Sequence, residues 1–128
     1  MTNDRVPSIR KELQRLADKE IAEHSQKFFK TGRGQYGEGD RFLGIRVPVL
    51  RTIARQYRGV SLEEACRLLK SQFHEERLLA LFLLVDTFNK ADDDGRKAIY
   101  ELYLASTRFI NNWDLVDCSA EHIVGAYL

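Results

Sequence analysis

The sequence predicts an all-α fold in which antiparallel helical pairs stack as an α-solenoid. Apolar residues recur at three- and four-residue spacing in successive short segments, which is the pattern of amphipathic helices. The only run with strand character, residues 42–47, is interrupted by Gly44 and followed by Pro48. Short helices with brief links are typical of stacked antiparallel pairs. No clean repeat period is visible, so we expect degenerate repeats.

Three helices and one glycine-rich loop are predicted in the first half of the chain. The first helix begins at Pro7 and the second runs over about residues 20–30. Residues 32–44 hold five of the eight glycines, which indicates a loop. Pro48 begins the third helix and Gly59 ends it. The residues expected to face the core are Ile9, Leu13, Leu16 and Ala17, then Ile21, Ser25, Phe28 and Phe29, then Val49, Leu50 and Ile53.

The second half begins with a helix-start signal. Ser61 and Glu64 form the pattern of a capping box, in which each side chain accepts a backbone N–H of the other residue. Residues 73–89 are the most apolar segment, so we expect that helix to be buried between its neighbours. Aspartates at 92–94 suit the first turn of the next helix, since acidic groups favour that end of the dipole. Its expected core side is Ile99, Leu102, Tyr103 and Leu104, and a last helix begins near Trp113.

Length and composition limit the classes of protein to which the chain can belong. With 128 residues, 44% of them apolar and 30% charged, the chain has the size of one globular domain over residues 1–128. No apolar run approaches the ~20 residues that span a bilayer, and no secretory signal begins the sequence. Cys66 and Cys118 are isolated, without a C-x-x-C pair. We therefore expect a cytoplasmic protein without disulfides.

Charge is distributed unevenly although the net charge is only +1. Residues 1–60 contain 13 Lys and Arg and 7 Asp and Glu, whereas residues 61–128 contain 7 and 12. A basic half can contact phosphates while the acidic half faces solvent. Ordinary scatter of surface charge gives the same numbers, so this pattern alone does not predict DNA binding.

Common catalytic and metal motifs are missing from the sequence. His24, His74 and His122 lack the spacing of zinc ligands, and we expect surface or capping roles for them. The glycine-rich loop is not a phosphate-binding P-loop, because no Gly-Lys-Ser or Gly-Lys-Thr follows. We expect no metal and no cofactor. The cations around the loop, which contact either phosphates or solvent, are Lys30, Arg33, Arg41 and Arg46.

Trp113 and Asp117 are the most informative pair of residues in the chain. If Asn112 caps a helix, the two lie one turn apart on the same face, near the positive end of the helix dipole. An ionised carboxylate beside an aromatic surface can hold an electron-poor ligand. A core tryptophan beside a solvated aspartate is the alternative interpretation, and the isolated segment favours that one.

Two motifs together resemble those of a known family. The segment Phe42-Leu43-Gly44-Ile45-Arg46-Val47-Pro48 has the form F-x-G-I-x-x-P, and Trp113-Asp114-Leu115-Val116-Asp117 has the form W-D-x-V-D. In this order they resemble the AlkD-like DNA alkylation repair glycosylases, over about residues 9–128. The resemblance implies a HEAT-like repeat that binds double-stranded DNA with alkylated bases. It also implies a monomer when full length, with no membrane and no metal partner.

The resemblance also implies a reaction. Purines alkylated at N3 or N7 are cationic, so the base leaves as a neutral molecule when the N-glycosidic bond is hydrolysed. Asp117 would stabilise the developing sugar cation and place a water, and Trp113 would pack against the deoxyribose while the base stays stacked. Arg46 lies where the family approaches DNA near the lesion. Some relatives carry Gln-Thr where this chain has Arg46 and Val47.

Two other functions fit the same sequence. One is a non-catalytic helical-repeat module that binds DNA or protein, and the other is a scaffold that binds a peptide in its groove. The apolar residues 121–128 remain in helical register without a polar tail, so we expect this chain to be the N-terminal portion of a longer domain. The family places an arginine and a second tryptophan further along. We therefore expect the 128 residues alone to have little excision activity.

Overall fold

The computed structural model describes residues 4–28, 41–110, 115 and 119–125. These residues form helices joined by short links and include no strand, only an isolated bridge between Arg41 and Phe73. The predicted all-α fold, a stack of helices as in a helical-repeat solenoid, is confirmed. The helices are α1 (Val6–Leu16), α2 (Lys19–Phe28), α3 (Val47–Gln56), α4 (Leu62–Leu69), α5 (His74–Lys90) and α6 (Asp93–Ala105), followed by a 3-10 turn (Thr107–Phe109) and a π-helical turn (Glu121–Gly125).

Helix α5 is the centre of the molecule. It packs against α3, α4 and α6, and Leu79 and Leu81 on it are fully removed from solvent. The prediction of a buried helix over residues 73–89 is thus confirmed. Phe82 is only half-buried. The first turn of α5 is buried as well, although it consists of polar and charged residues: His74, Glu75, Glu76 and Arg77.

Capping residues begin two of the helices as predicted. The Glu64 N–H donates to Ser61 Oγ at 3.1 Å, and the Ser61 N–H donates to Glu64 Oε1 at 2.9 Å, which completes the capping box of α4. Asp92 caps α6 by accepting the N–H of Gly95 at 2.8 Å. The remaining aspartates of that triplet lie in the first turn, where they have the structural role expected for them.

Three residues expected in the core are exposed instead. Val49 is 39% exposed because it lies about 100° around α3 from Leu50, which is fully buried. Leu104 is 46% exposed for the same reason, since Tyr103 is the residue of that turn that faces inward. Ala17 is exposed because α1 ends at Leu16.

The chain after α6 is anchored to that helix by a buried hydrogen-bond chain. Leu115, Ser119 and Ala120 are helical, and Leu115 and Ser119 are fully buried. The Ser119 hydroxyl donates to the Leu115 carbonyl at 2.6 Å, so the Tyr103 hydroxyl, 2.9 Å away, donates to Ser119 Oγ. The expected start of this helix near Trp113 lies outside the described residues.

Candidate nucleic-acid interface

Arg46 is the residue at which the F-x-G-I-x-x-P motif becomes a helix. Its backbone is extended (φ −73°, ψ 150°), and its carbonyl accepts the N–H groups of Val49 at 3.0 Å and Leu50 at 3.1 Å. Pro48 lies in the first turn, where a residue without an N–H is tolerated. The Arg46 side chain is exposed at this N-cap position, so its guanidinium is accessible to a ligand.

The residues before Arg46 are held by a buried carboxylate. We call residues 41–46 the motif loop. Glu75, in the first turn of α5, accepts the N–H of Leu43 at 2.9 Å on Oε1 and the N–H groups of Gly44 and Ile45 at 2.8 and 3.2 Å on Oε2. Leu43 and Ile45 are buried beside it. The motif loop therefore has a defined conformation although it belongs to no helix.

Gly44 allows the motif loop to pass close to the start of α2. Its φ is +87°, and a Cβ built on it would lie 1.8 Å from the Asp18 carbonyl oxygen. The Asp18 N–H donates to the carbonyls of Leu43 and Gly44 at 3.0 and 3.1 Å. Only glycine fits this contact, so the glycine of the motif serves close backbone packing.

A cavity of about 650 Å³ lies between α2, the motif loop, α3 and α5. Apolar side chains form much of its wall, and Arg46 lies among the polar groups around it. An apolar pocket with a few polar groups is the usual form of a ligand site. The other polar and aromatic side chains that line it include Glu20, His24, Ser25, Phe42 and His74.

His74 does not have the surface role that its spacing suggested. It is buried, its ring stacks on Phe42 with the centroids 4.8 Å apart, and its backbone N–H donates to the Arg41 carbonyl at 2.8 Å. The reason is tertiary, since the motif loop covers the first turn of α5. His24 and His122 are exposed, as expected.

Three arginines lie along α3 and the turn that follows it. Arg51 and Arg55 lie four residues apart on one face of α3, Arg58 lies in the turn that follows the helix, and all three are exposed. We call them the α3 arginine row. With Phe82 and Asn89 of α5 they line a second cavity, of about 220 Å³. A guanidinium can donate two N–H groups to one phosphate, so exposed arginines are suited to contact a nucleic-acid backbone.

Contacts with α5 orient two members of the α3 arginine row. The Arg51 guanidinium lies over the Phe82 ring, 4.3 Å from its centroid. Arg58 Nε lies 3.8 Å from Asp86 Oδ1, and Lys90 Nζ lies 3.3 Å from Asp86 Oδ2. The half-buried Phe82 thus supports a cation as well as the core.

The sequence interpretation missed this row and identified Arg46 instead. Part of the signal was present in the four-residue spacing of Arg51 and Arg55, which follows the helical period. It was passed over because arginines on an amphipathic helix usually form a solvated face. Contact of Arg51 with Phe82 depends on how α3 crosses α5, which the sequence does not reveal.

The structure describes two of the six residues expected to form the site. Arg41 and Arg46 are both exposed, at the two ends of the motif loop. Arg41 also donates its backbone N–H to the Gln72 carbonyl at 3.3 Å. The other four residues lie outside the described part of the chain: Lys30, Arg33, Trp113 and Asp117.

The described residues contain neither a candidate metal site nor a membrane-spanning helix. Among those the structure describes, no three His, Cys, Asp or Glu side chains converge so that they could hold a metal ion. No helix in the described ranges has the length and apolar character needed to cross a membrane.

Comparison with known proteins gives one match. No curated protein and no solved structure is significantly similar to the chain. The sequence profile of the family described as DNA alkylation repair enzyme matches residues 9–128 and so covers both motifs. The chain therefore belongs to the family of DNA alkylation repair enzymes.

Proposed function

We propose that the protein binds duplex DNA with alkylated bases through Arg46 and the α3 arginine row. The observation that carries this proposal is the exposed row itself, in which Arg51, Arg55 and Arg58 line one cavity beside Phe82. Contacts from arginine to phosphate position a protein on DNA without reading sequence. That is what a repair enzyme needs, because lesions occur in any sequence context.

We further propose that the reaction is hydrolysis of the N-glycosidic bond of cationic N3- and N7-alkylpurines. The charged base is already a good leaving group, so the enzyme has to stabilise positive charge on the sugar and place a water. Asp117 is the proposed carboxylate for both tasks, and Trp113 is the proposed aromatic surface against the deoxyribose.

The described neighbours of Asp117 support the spacing on which this proposal depends. Leu115, Ser119 and Ala120 are helical, and Leu115 and Ser119 are buried against the rest of the protein. Trp113 and Asp117 are four residues apart in the sequence, a spacing that puts two residues on one face wherever the chain is helical. A firmly packed helix is a suitable support for a catalytic pair.

Release of 7-methylguanine and 3-methyladenine from methylated duplex DNA tests the proposed reaction. The Asp117→Asn variant should release almost no base, since the amide keeps the shape but removes the charge. The matched control is Asp114→Asn, because Asp114 is the other acid of the W-D-x-V-D motif, expected to interact only with the helix dipole. Trp113→Ala should slow release less than Asp117→Asn does.

A protein that binds DNA without excising bases is the second candidate. The α3 arginine row favours it, because those cations are present in the described chain whether or not Asp117 acts on a base. Salt-dependent duplex binding without base release would support the binding module. Equal release by the wild type and a folded Asp117→Asn variant would remove this carboxylate from the mechanism.

A further inference from the structure

We propose that Glu75 is a positioning residue for DNA binding, which holds the motif loop so that Arg46 meets the duplex in a fixed orientation. This inference rests on the proposed function and deepens it. Glu75 itself is 3% exposed, and both of its carboxylate oxygens accept N–H groups of the motif loop. It acts through the backbone of residues 43–45.

Both oxygens of the Glu75 carboxylate are used inside the protein. Three consecutive N–H groups, of Leu43, Gly44 and Ile45, donate to them over 2.8–3.2 Å. A buried carboxylate without such partners would strongly destabilise the fold, and three buried N–H groups without an acceptor would do the same. The carboxylate and the loop therefore depend on each other.

The carbonyl groups of the same segment are also held by hydrogen bonds. Asp18 donates its N–H to the carbonyls of Leu43 and Gly44 at 3.0 and 3.1 Å. The loop backbone is thus held from α5 on one side and from the start of α2 on the other. No rotation of this segment is possible without breaking hydrogen bonds on both sides.

Arg46 follows directly after the last residue that Glu75 holds. The Ile45 N–H donates to Glu75, and the Arg46 carbonyl accepts N–H groups from the first turn of α3. Hydrogen bonds therefore fix the backbone on both sides of the Arg46 Cα. A guanidinium on a fixed backbone loses less freedom when it binds a phosphate, which is the advantage of preorganisation.

Glu76 provides a matched control. It is the next residue on α5, it is 2% exposed, and its Oε1 accepts from Arg10 Nε at 2.9 Å. That pair joins α5 to α1 and does not involve the motif loop. Glu76→Gln thus removes a buried charge from the same helical turn while Glu75 keeps its three N–H partners.

The test is duplex DNA affinity of the 128-residue chain measured over a range of salt concentrations. Arg46→Ala should lower the slope of log affinity against log salt by about 1, as expected for one lost phosphate contact. Glu75→Gln should lower the slope by a similar amount. The NH2 group of the glutamine is a donor and cannot accept the N–H groups of the motif loop, so the loop is no longer held in place. The Glu75→Gln/Arg46→Ala double variant should have the slope of Arg46→Ala alone. Glu76→Gln should keep the wild-type slope.

Amide hydrogen exchange of the wild-type protein tests the same inference without any variant. The N–H groups of residues 43–45 should exchange slowly although they belong to no helix, because each is bonded to Glu75. If Glu75→Gln does not fold, Glu75→Asp replaces it in the salt measurements. The shorter carboxylate cannot reach all three N–H groups, so its slope should also fall.

The possible results separate this inference from the proposed function. If the wild type does not bind DNA, both are wrong. If the wild type binds and Arg46→Ala lowers the slope, but Glu75→Gln and Glu75→Asp keep the wild-type slope, only the role of Glu75 is wrong. Additive slope losses in the double variant, or fast exchange of the three amides in the wild type, would also overturn it.

Discussion

Gly44 and Gly59 share a backbone conformation but differ in their surroundings. Both have φ of +87°. A Cβ on Gly59 would meet nothing within 4 Å, whereas a Cβ on Gly44 would overlap the Asp18 carbonyl oxygen. Substitution of Gly59 measures the energy of an unfavourable dihedral angle alone, whereas substitution of Gly44 adds the energy of a backbone clash.

We expect Gly59→Ala to lower the free energy of unfolding by about 1–2 kcal/mol, the cost of a left-handed conformation for an L-residue. Gly44→Ala should lower it by roughly 2–5 kcal/mol, because overpacking adds to that cost. Urea denaturation of both variants measures the difference. Equal losses would show that the motif loop can move away from α2 at little energy.

Leu81 and Phe82 are neighbours on α5 with different tasks. Leu81 is fully buried, so Leu81→Ala should lower the free energy of unfolding by about 2–5 kcal/mol. Phe82 is half-buried, and its ring contacts the Arg51 guanidinium. Phe82→Ala should therefore destabilise the fold less than Leu81→Ala, yet weaken duplex binding more. Thermal denaturation and a binding isotherm on both variants check this, and the reverse order in either assay would contradict it.

At the scale of a helix, the start of α4 links stability to pH. The N–H of Ser61 donates to Glu64, and the N–H of Arg5 does so at 2.6 Å. These hydrogen bonds, that of Ser61 above all, lower the pKa of Glu64 below its ordinary value. A carboxyl whose pKa is lowered by folding stabilises the protein above its unfolded pKa, and this contribution is lost as pH falls through the folded pKa.

Glu64→Gln should thus lower the free energy of unfolding at pH 7 by about 0.3–1 kcal/mol, because the amide oxygen can still accept the Ser61 N–H but the charge that favours a helix N-terminus is lost. The difference from the wild type should shrink once the pH falls below about 4, near the ordinary pKa of a glutamate. Urea denaturation at pH 7 and pH 3 gives both values. An unchanged difference at the two pH values would mean that the charge of Glu64 contributes nothing.

Helix starts with local signals were predictable from the sequence, and contacts between distant segments were not. The Ser61 and Glu64 capping box and the Asp92 cap depend on residues three apart, so their pattern is visible in the chain. Burial of Glu75 depends on a loop 30 residues away, and a glutamate in a first turn has the same pattern when it is solvated. Val49 was placed inward because an apolar residue beside Leu50 does not reveal which of them faces the core.

The candidate site was predictable to a similar extent. Arg46 was identified because it lies within a motif, and it is exposed at the start of α3 as a DNA contact requires. The α3 arginine row was missed because its importance comes from the neighbouring surface of α5. The roles of Trp113 and Asp117 remain predictions from the family and from their spacing.

At the scale of the whole molecule, binding should depend on the α3 arginine row more than on net charge. We expect Arg55→Ala to weaken duplex binding with little dependence on sequence and to lower the salt slope by about 1. Lys97→Ala is the control, since Lys97 is an exposed cation on α6 outside both cavities. Fluorescence anisotropy at several salt concentrations measures both. Equal effects of the two variants would show that only total charge matters.

The ion pair between Glu76 and Arg10 affects how the protein unfolds. In a simple solenoid each repeat touches only its neighbours, so an end repeat can fray alone. Here α5 is joined to α1 through Arg10, while Glu75 on the same turn holds the segment that precedes α3. Detaching α1 and α2 therefore opens the centre of the protein. We expect the amino-terminal helices and α5 to melt together as one cooperative unit.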